Sequence, residues 1–165
     1  MTPEIDLPII IEQESKLVFD RFDEDTAFTI GSTIRDAGKA AGKGLVAGVF
    51  LWDRTLFYGA TAGSTSSNRS WAERKVQLVR LMFKSSYRVV VERGDKPRLL
   101  EPGWGLEPSQ YAIAGGAFPI RVDGVGVIGA VAVSGLPERD DHEYARSAIA
   151  QALGHPADAF ALPAP

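Results

Sequence analysis

Cysteine is absent from this 165-residue sequence, and only two histidines, His142 and His155, are present. The absence of cysteine excludes disulfide bonds, thiolate catalysis and iron–sulfur clusters. Two histidines are too few for a metal site built from three imidazole ligands. No stretch reaches the roughly 18 consecutive apolar residues of a membrane-spanning helix, so a membrane is not an expected partner.

The sequence also lacks a large excess of either charge, because 18 basic residues face 21 acidic ones and give a net charge of −3. A nucleic-acid-binding protein needs a basic patch to neutralise phosphates, and none is evident, so nucleic acid is not an expected partner either. The first eleven residues carry two acidic side chains and no basic one, unlike a secretory signal. We therefore expect a cytoplasmic protein.

Length and composition predict a single globular domain over residues 1–165. Its core is expected over about residues 9–153, followed by a flexible tail over 154–165 that contains three prolines.

The periodicity of apolar residues predicts an α+β fold with four helices and two β-hairpins. The helices are expected near 8–22, 27–41, 70–84 and 140–153, and the hairpins over 45–60 and 118–134. Residues 87–92 favour a strand by propensity, although a continued helix is also compatible with them. Residues 125–134 are apolar on both faces, so this strand should be central and covered by helices or by a partner subunit.

Two basic residues on the helix over 70–84 are candidates for a binding site. Lys75 has apolar neighbours one turn away on both sides, at Trp71 and Val79. It could extend along that surface with its ammonium in water, or face a pocket or interface and pair with an acidic residue or an anionic ligand. Arg74 is adjacent and could join it.

Three further features each allow two interpretations. The acidic residues of Asp140–Glu143 could cap a helix or bind a divalent cation. His142 lies on the inward face of that helix and is either a core histidine or a ligand. The pair Gly115 and Gly116 could permit a bend, or let bare backbone approach a flat ligand.

Several short motifs together resemble one known superfamily. They are WAERK at 71–75, FKSSY at 83–87, Tyr111 with GGAFPI at 115–120, GVIG at 126–129, and VSGLP at 133–137 followed by Asp141 and His142. This series, between about residues 14 and 153, resembles the haem-degrading-domain superfamily, which contains the HbpS and GlcG proteins and the C-terminal domain of PduO. The nearest branch is a cytosolic one without an established activity, whose fungal member associates with tail-anchored protein insertion factors.

The resemblance implies an α/β domain with a five-stranded antiparallel sheet flanked by helices, assembling into symmetric homo-oligomers. It also implies binding of haem or another flat anionic cofactor, with haem breakdown as the activity of some members. Relatives in the nearest branch usually carry a histidine just before the Gly-Gly pair, and this sequence has Ala114 there.

The site residues expected under this resemblance have distinct roles. Trp71 and Phe118 would form an apolar wall, while Lys75 and Arg74 would meet propionates or another anion. His142 would be the axial ligand of the iron, or Tyr111 in its place. The remaining expected ligand-binding positions are Gly115, Gly116 and Ser134.

Two other functions stay open. One is a non-enzymatic oligomeric scaffold that presents a surface to protein partners. The other is an enzyme acting on a small organic anion, with Lys75 and His142 as acid and base.

Overall fold

One antiparallel sheet and five α-helices form the part of the chain described by the structure, which is residues 3–98 and 102–165 of a computed structural model. The helices are α1 (Asp6–Lys16), α2 (Glu24–Ala40), α3 (Ser66–Met82), α4 (Ser86–Arg93) and α5 (Glu138–Ala152). The strands are β1 (Val46–Leu51), β2 (Thr55–Ala60), β3 (Ala117–Val122) and β4 (Gly126–Ser134), and short 3-10 helices cover Pro3–Ile5 and Pro102–Trp104.

The sheet has four strands in the described residues, in the order β2-β1-β4-β3, and all neighbours are antiparallel. The expectation of five strands is therefore wrong, while the antiparallel α+β architecture is as predicted. Outside the four strands, Phe19 makes a single parallel bridge to Val122 at the free edge of β3. This contact is too short to add a strand, but it covers part of that edge.

Helices of the same chain cover both faces of the sheet. On one face, α5 packs against β4 and α2 packs against β1 and β2, and this layer buries the alternate residues Val131 and Val133 of β4. On the other, α3 packs against Ala130 and Ala132. The central position of β4 is thus as the sequence predicts, and its two apolar faces are buried without a partner subunit.

Residues 87–92 lie in α4 and do not form a strand. Ser85 caps this helix, since its hydroxyl accepts a hydrogen bond from the backbone N–H of Arg88. Helical spacing brings Tyr87, Val90 and Val91 together in a second small core that includes Ile10 of α1. This burial outweighs the strand propensity of the valine run.

The segment after α5 packs back onto the domain. Gln13 donates a hydrogen bond of 2.8 Å to the carbonyl oxygen of Phe160, and Arg146 donates to those of Ala157 and Ala159. Leu162 is buried in the second core. The three prolines suggest a flexible tail, whereas these contacts hold the segment against the domain. Its flexibility stays a prediction.

Candidate functional site

A buried ion pair between Lys75 and Asp141 lies at the end of β4. The Nζ atom of Lys75 donates to Oδ2 of Asp141 at 2.9 Å and to the carbonyl oxygen of Val133 at 3.0 Å. The two residues are only 3 % and 2 % exposed. Asp141 also accepts a backbone hydrogen bond from Leu136 at 3.0 Å through its other oxygen, Oδ1. The pair therefore connects α3, the turn after β4 and the first turn of α5.

The start of α3 differs from the sequence prediction. The helix begins at Ser66 rather than near Ser70, because Thr65 and Asn68 form a capping box. The third helical position of this box holds Asn68 instead of the more usual glutamate or glutamine. The Ser70–Glu73 spacing, which has the usual residue types, was therefore the stronger signal in the sequence. The earlier start places Asn68 one turn from Trp71 and two turns from Lys75, on the same side of α3.

Glycine at position 116 permits Lys75 to approach the sheet. A Cβ atom there would lie 2.7 Å from Nζ of Lys75 and 2.5 Å from the carbonyl oxygen of Val133. Gly116 also has φ of +130°, in a region that L-residues with side chains rarely adopt. Gly116 thus packs against the ion pair, and contact of the Gly115-Gly116 pair with a flat ligand stays a prediction.

Burial raises the pKa of Asp141 to about 6, and the Lys75 ammonium and the backbone N–H groups of residues 135 and 136 oppose that rise. Near neutral pH the group is thus mostly the carboxylate that pairs with Lys75. A carboxyl group with a perturbed pKa beside a cleft is typical of functional sites, although structural ion pairs can show the same shift. The chemistry it offers is acceptance and return of a proton.

A cleft of about 300 Å³, which we call the Lys75 cleft, opens above this pair. Trp71 and Ser134 line it and, at 41 % and 3 % exposure, provide an aromatic wall and a hydroxyl. The hydroxyl of Ser134 has no hydrogen-bond partner among the described residues. The complete lining is Asn68, Trp71, Lys75, Ala114, Ser134, Gly135, Leu136, Glu138 and Asp141.

A second ion pair borders the Lys75 cleft. Glu138 accepts two hydrogen bonds from Arg98, at 2.7 and 2.9 Å, and one from the backbone N–H of Gly115 at 3.1 Å. The carboxylate of Glu138 is thus already paired with a cation. Among the charged residues that line this cleft, both carboxylates have their own basic partners.

His142 lies in the core and does not line the cleft. Its side chain is 0 % exposed, its Nε2 atom lies 2.7 Å from Oε1 of Gln13, and its ring contacts Tyr87 and Phe118. Burial lowers its pKa to about 3, so the ring is neutral at physiological pH. Phe118, the other expected wall residue, is also fully buried in the core.

Arg74 and Tyr111 lie beside the Lys75 cleft. The guanidinium carbon of Arg74 is 4.2 Å from the centre of the Trp71 ring, and its carbonyl oxygen accepts a hydrogen bond from the N–H of Ala112. That bond holds the half-buried Tyr111 and its neighbours against α3. Of the expected site residues, Trp71, Lys75 and Ser134 line the cleft, whereas Arg74 is joined to it through Trp71.

The sequence offers an acidic residue or an anionic ligand as a partner of Lys75, but it does not single out Asp141. The acidic residues of 140–143 are compatible with helix caps or metal ligands, and only the structure shows that Asp141 turns inward. It also shows Ala114 in the lining of the cleft, at the position where relatives in the nearest branch carry histidine. The VSGLP motif was the available signal, because it sets the turn that brings Asp141 to the end of β4.

Within residues 3–98 and 102–165, no cluster of three histidine, aspartate or glutamate side chains could hold a metal ion. The same residues include no helix with the length and apolarity needed to cross a bilayer.

Comparison with known proteins adds an independent observation. Residues 22–150 match the family described as "Haem degrading protein HbpS-like". A UPF0303 protein of Brucella melitensis is 47% identical over 155 residues, which cover 94% of this chain and 92% of that protein.

Two solved structures have the same fold. The Ybr137w protein superposes with a TM-score of 0.78 at 26% identity, over 95% of this chain and 91% of that chain. A structure described as a PduOC:Heme complex superposes with a TM-score of 0.66 at 15% identity, over 78% of this chain and 93% of that chain. At 15% identity, the second similarity shows a common fold and nothing about this chain's ligand.

Proposed function

This chain belongs to the HbpS-like family of haem-degrading proteins, and we propose that it binds a small organic anion in the Lys75 cleft. The resemblance that its motifs indicate is thereby confirmed at the level of the family. The observation that carries the proposal is the buried Lys75–Asp141 pair beneath an open cleft with an exposed tryptophan wall.

The size and lining of the cleft favour a small ligand. Pockets for organic ligands have volumes of roughly 300–1,000 Å³, and the Lys75 cleft, at about 300 Å³, is at the lower end. Trp71 offers a face for a planar or apolar part of the ligand. The Asn68 amide and Ser134 hydroxyl offer hydrogen bonds.

The charges around Trp71 favour an anion. Each nearby carboxylate already has a basic partner, since Asp141 pairs with Lys75, Glu138 with Arg98 and Glu73 with Arg69. Arg74 is left with one positive charge that no described carboxylate neutralises. A carboxylate of a ligand would balance it.

The residues of the Lys75 cleft do not fit an iron-bound haem. Haem iron requires an axial donor such as histidine, cysteine, methionine or tyrosine, and none of these lines the cleft. His142 would have to break its 2.7 Å contact with Gln13 and leave a fully buried position to reach the iron. We therefore interpret His142 as a core residue that does not bind a ligand.

Haem remains the second candidate ligand, because the chain belongs to this family and shares its fold with a protein described as a heme complex. It would have to bind outside the Lys75 cleft, with Tyr111 as the remaining donor that the resemblance implies. Hemin is therefore tested beside the organic acids.

Assembly and location remain parts of the proposal. Helices of the same chain cover both faces of β4, so subunits of a homo-oligomer must contact each other through other surfaces. One such surface, near the β2 edge, exposes the apolar side chains of Phe28 and Tyr58. A cytoplasmic homo-oligomer is still what the family resemblance implies. Light scattering at micromolar concentration measures the subunit number, and a monomeric mass would contradict this part. A scaffold for protein partners would show the same mass but no small-molecule binding.

The binding proposal is tested by thermal unfolding of the full-length chain with malonate, succinate, benzoate and hemin. An acid at ten times its dissociation constant adds about 1.4 kcal/mol of stability, which raises the Tm of a chain of this size by roughly 3–6 °C. We expect such a rise with an organic acid, and expect Trp71→Ala and Asn68→Ala to remove it.

Trp104→Ala is the matched control, because Trp104 is 40 % exposed, like Trp71, but does not line the Lys75 cleft. This variant should respond to the acid as the unmodified chain does. If no acid raises the Tm while hemin gives a saturable spectral change, the haem candidate replaces the anion proposal.

A further inference from the structure

Arg74 has no partner for its charge, in contrast to most basic side chains around it. Its Nε atom is buried without a hydrogen-bond partner, and Nη1 and Nη2 make no hydrogen bond to any described residue but remain in contact with solvent. The two terminal nitrogens are therefore open to an anion that arrives from solvent, whereas the buried Nε atom is not.

The side chain of Arg74 is nevertheless held in place. Its guanidinium carbon lies 4.2 Å from the centre of the Trp71 ring, which covers one side of the planar group. Stacking of this kind fixes the orientation of the fork formed by the two terminal nitrogens. The fork is thus positioned before any anion arrives.

A second cleft, which we call the Arg74 cleft, lies at this side chain and has a volume of about 250 Å³. Its lining consists of Ser70, Glu73, Arg74, Gln77, Ser109 and Gln110. Glu73 is its one acidic side chain, and Arg69 donates to it at 2.8 Å. The other members besides Arg74 are neutral residues with hydroxyl or amide groups that can donate hydrogen bonds.

From this arrangement we infer that Arg74 binds the carboxylate of the ligand in the Arg74 cleft, through Nη1 and Nη2. The inference rests on the proposed function and adds the substrate class, which is organic acids with a free carboxylate. A planar fork matches a carboxylate in bidentate geometry, and such charge-assisted pairs are stronger than neutral hydrogen bonds. Trp71, which lines the Lys75 cleft and stacks on Arg74, would contact the body of the same molecule.

Arg80 provides a matched control on the same helix. It is exposed, its guanidinium carbon lies 5.9 Å from the centre of the Trp52 ring, and no carboxylate among the described residues pairs with it. It differs from Arg74 in that it lines another cleft, together with Trp52, and does not line the Arg74 cleft. Loss of the charge at Arg80 should leave the acid site unchanged.

The experiment is a titration of the full-length protein with succinate and, as an uncharged analogue, succinamide. Isothermal calorimetry and the ¹⁵N resonances of the Arg74 side chain are the two readouts. We expect saturable binding of succinate, a shift of the Arg74 resonances, and no binding of succinamide. Arg74→Gln should weaken succinate binding by about tenfold or more, Arg74→Lys should restore it only in part, and Arg80→Gln should bind as the unmodified chain does.

Several results would overturn the inference. These are no saturable succinate binding, equal binding of succinamide, an Arg74→Gln affinity like that of the unmodified chain, or Arg74 resonances that do not move. A lower assembly mass in Arg74→Gln without succinate binding would assign the guanidinium to a carboxylate of a second copy instead.

The two proposals fail in different ways. If Asn68→Ala abolishes binding of an acid and Arg74→Gln does not, the Lys75 cleft is the site and the Arg74 inference is wrong. If Arg74→Gln abolishes binding and neither Asn68→Ala nor Ser134→Ala alters it, Arg74 binds acids and the proposal for the Lys75 cleft is wrong.

Discussion

Nζ of Lys75 lies 2.9 Å from Oδ2 of Asp141, and this contact joins the middle of α3 to the first turn of α5 beneath an open cleft. Both charges are buried, so each depends on the other. A buried pair of this kind gains little net stability over a well-packed apolar pair, because desolvation of two charges offsets their attraction. Its presence beside a cleft is therefore more simply explained by ligand chemistry than by stability.

Replacement of Lys75 by methionine leaves Asp141 buried without its counter-ion. We expect the free energy of unfolding at pH 8 to fall by about 3–5 kcal/mol, measured by urea denaturation. Lys75→Met/Asp141→Asn should recover most of this loss, since no unpaired charge remains. Lys39→Met, at an exposed position on α2, should change stability little.

The deficit of Lys75→Met should also depend on pH. Burial raises the pKa of Asp141 to about 6 in the folded protein, and loss of Lys75 removes an influence that lowers it. The folded carboxyl group then binds its proton more tightly than the unfolded one. Its stabilising contribution is present at low pH and lost as the pH rises through the folded pKa. The deficit should be smaller at pH 5 than at pH 8, and an equal deficit at both would contradict this account.

Gly116→Ala tests the close approach of Lys75 to the sheet. The new Cβ would lie 2.5 Å from the carbonyl oxygen of Val133, on a backbone with φ of +130°. We expect a loss of about 2–4 kcal/mol in urea denaturation. Gly124→Ala is the control, with φ of +70° and no atom near the added methyl, so it should lose only about 1–2 kcal/mol. Similar losses for both would show that backbone conformation alone matters.

The neutral, buried His142 predicts loss of stability in mild acid. Its pKa is about 3 in the folded protein against an ordinary value of 6.5, so below pH 6.5 the unfolded chain binds a proton that the folded chain does not. Stability from this group is thus lost as the pH falls from 6.5 towards 3. Between pH 7 and pH 5 the advantage of the unmodified chain over His142→Gln should shrink by about 2 kcal/mol. Parallel pH profiles would instead indicate that His142 is accessible to protons in the folded state.

Ala114→His tests whether the lack of an axial donor keeps haem out of the Lys75 cleft. Ala114 lines that cleft, so a histidine there would place an imidazole beside Trp71. We expect this variant to shift the Soret band of hemin saturably. The unmodified chain and His142→Ala should not shift the band. If the unmodified chain shifts the band and Tyr111→Phe abolishes the shift, Tyr111 is the donor and haem binds outside the cleft.

The sequence predicted most elements of the fold, and its errors have local causes. Apolar residues on both faces of 125–134 identified β4 as central, and the four helices and two hairpins expected from the periodicity are present. The valines of α4 were ambiguous because propensity alone does not reveal which face will be buried. The count of five strands came from the resemblance and not from the residues.

The site was only half predictable. Apolar neighbours on α3 indicated that Lys75 faces inward or into a pocket, but its partner is 66 residues away in sequence. Acidic residues at the start of a helix are usually caps, so periodicity could not single out Asp141. His142 was correctly placed on the inward face. The hydrogen-bond partner of its ring is Gln13, which lies near the other end of the chain and is identified only by the structure.

The most direct test of the central claim is a ¹H–¹⁵N correlation titration of the full-length protein with succinate. The account predicts saturable shifts of the Trp71 indole N–H and of the backbone N–H groups of Gly135 and Leu136, which line the Lys75 cleft. The same shifts should be absent in Asn68→Ala. The absence of any saturable shift, or shifts confined to residues away from this cleft, such as Phe28 and Tyr58, would contradict the claim that the Lys75 cleft binds a small organic anion.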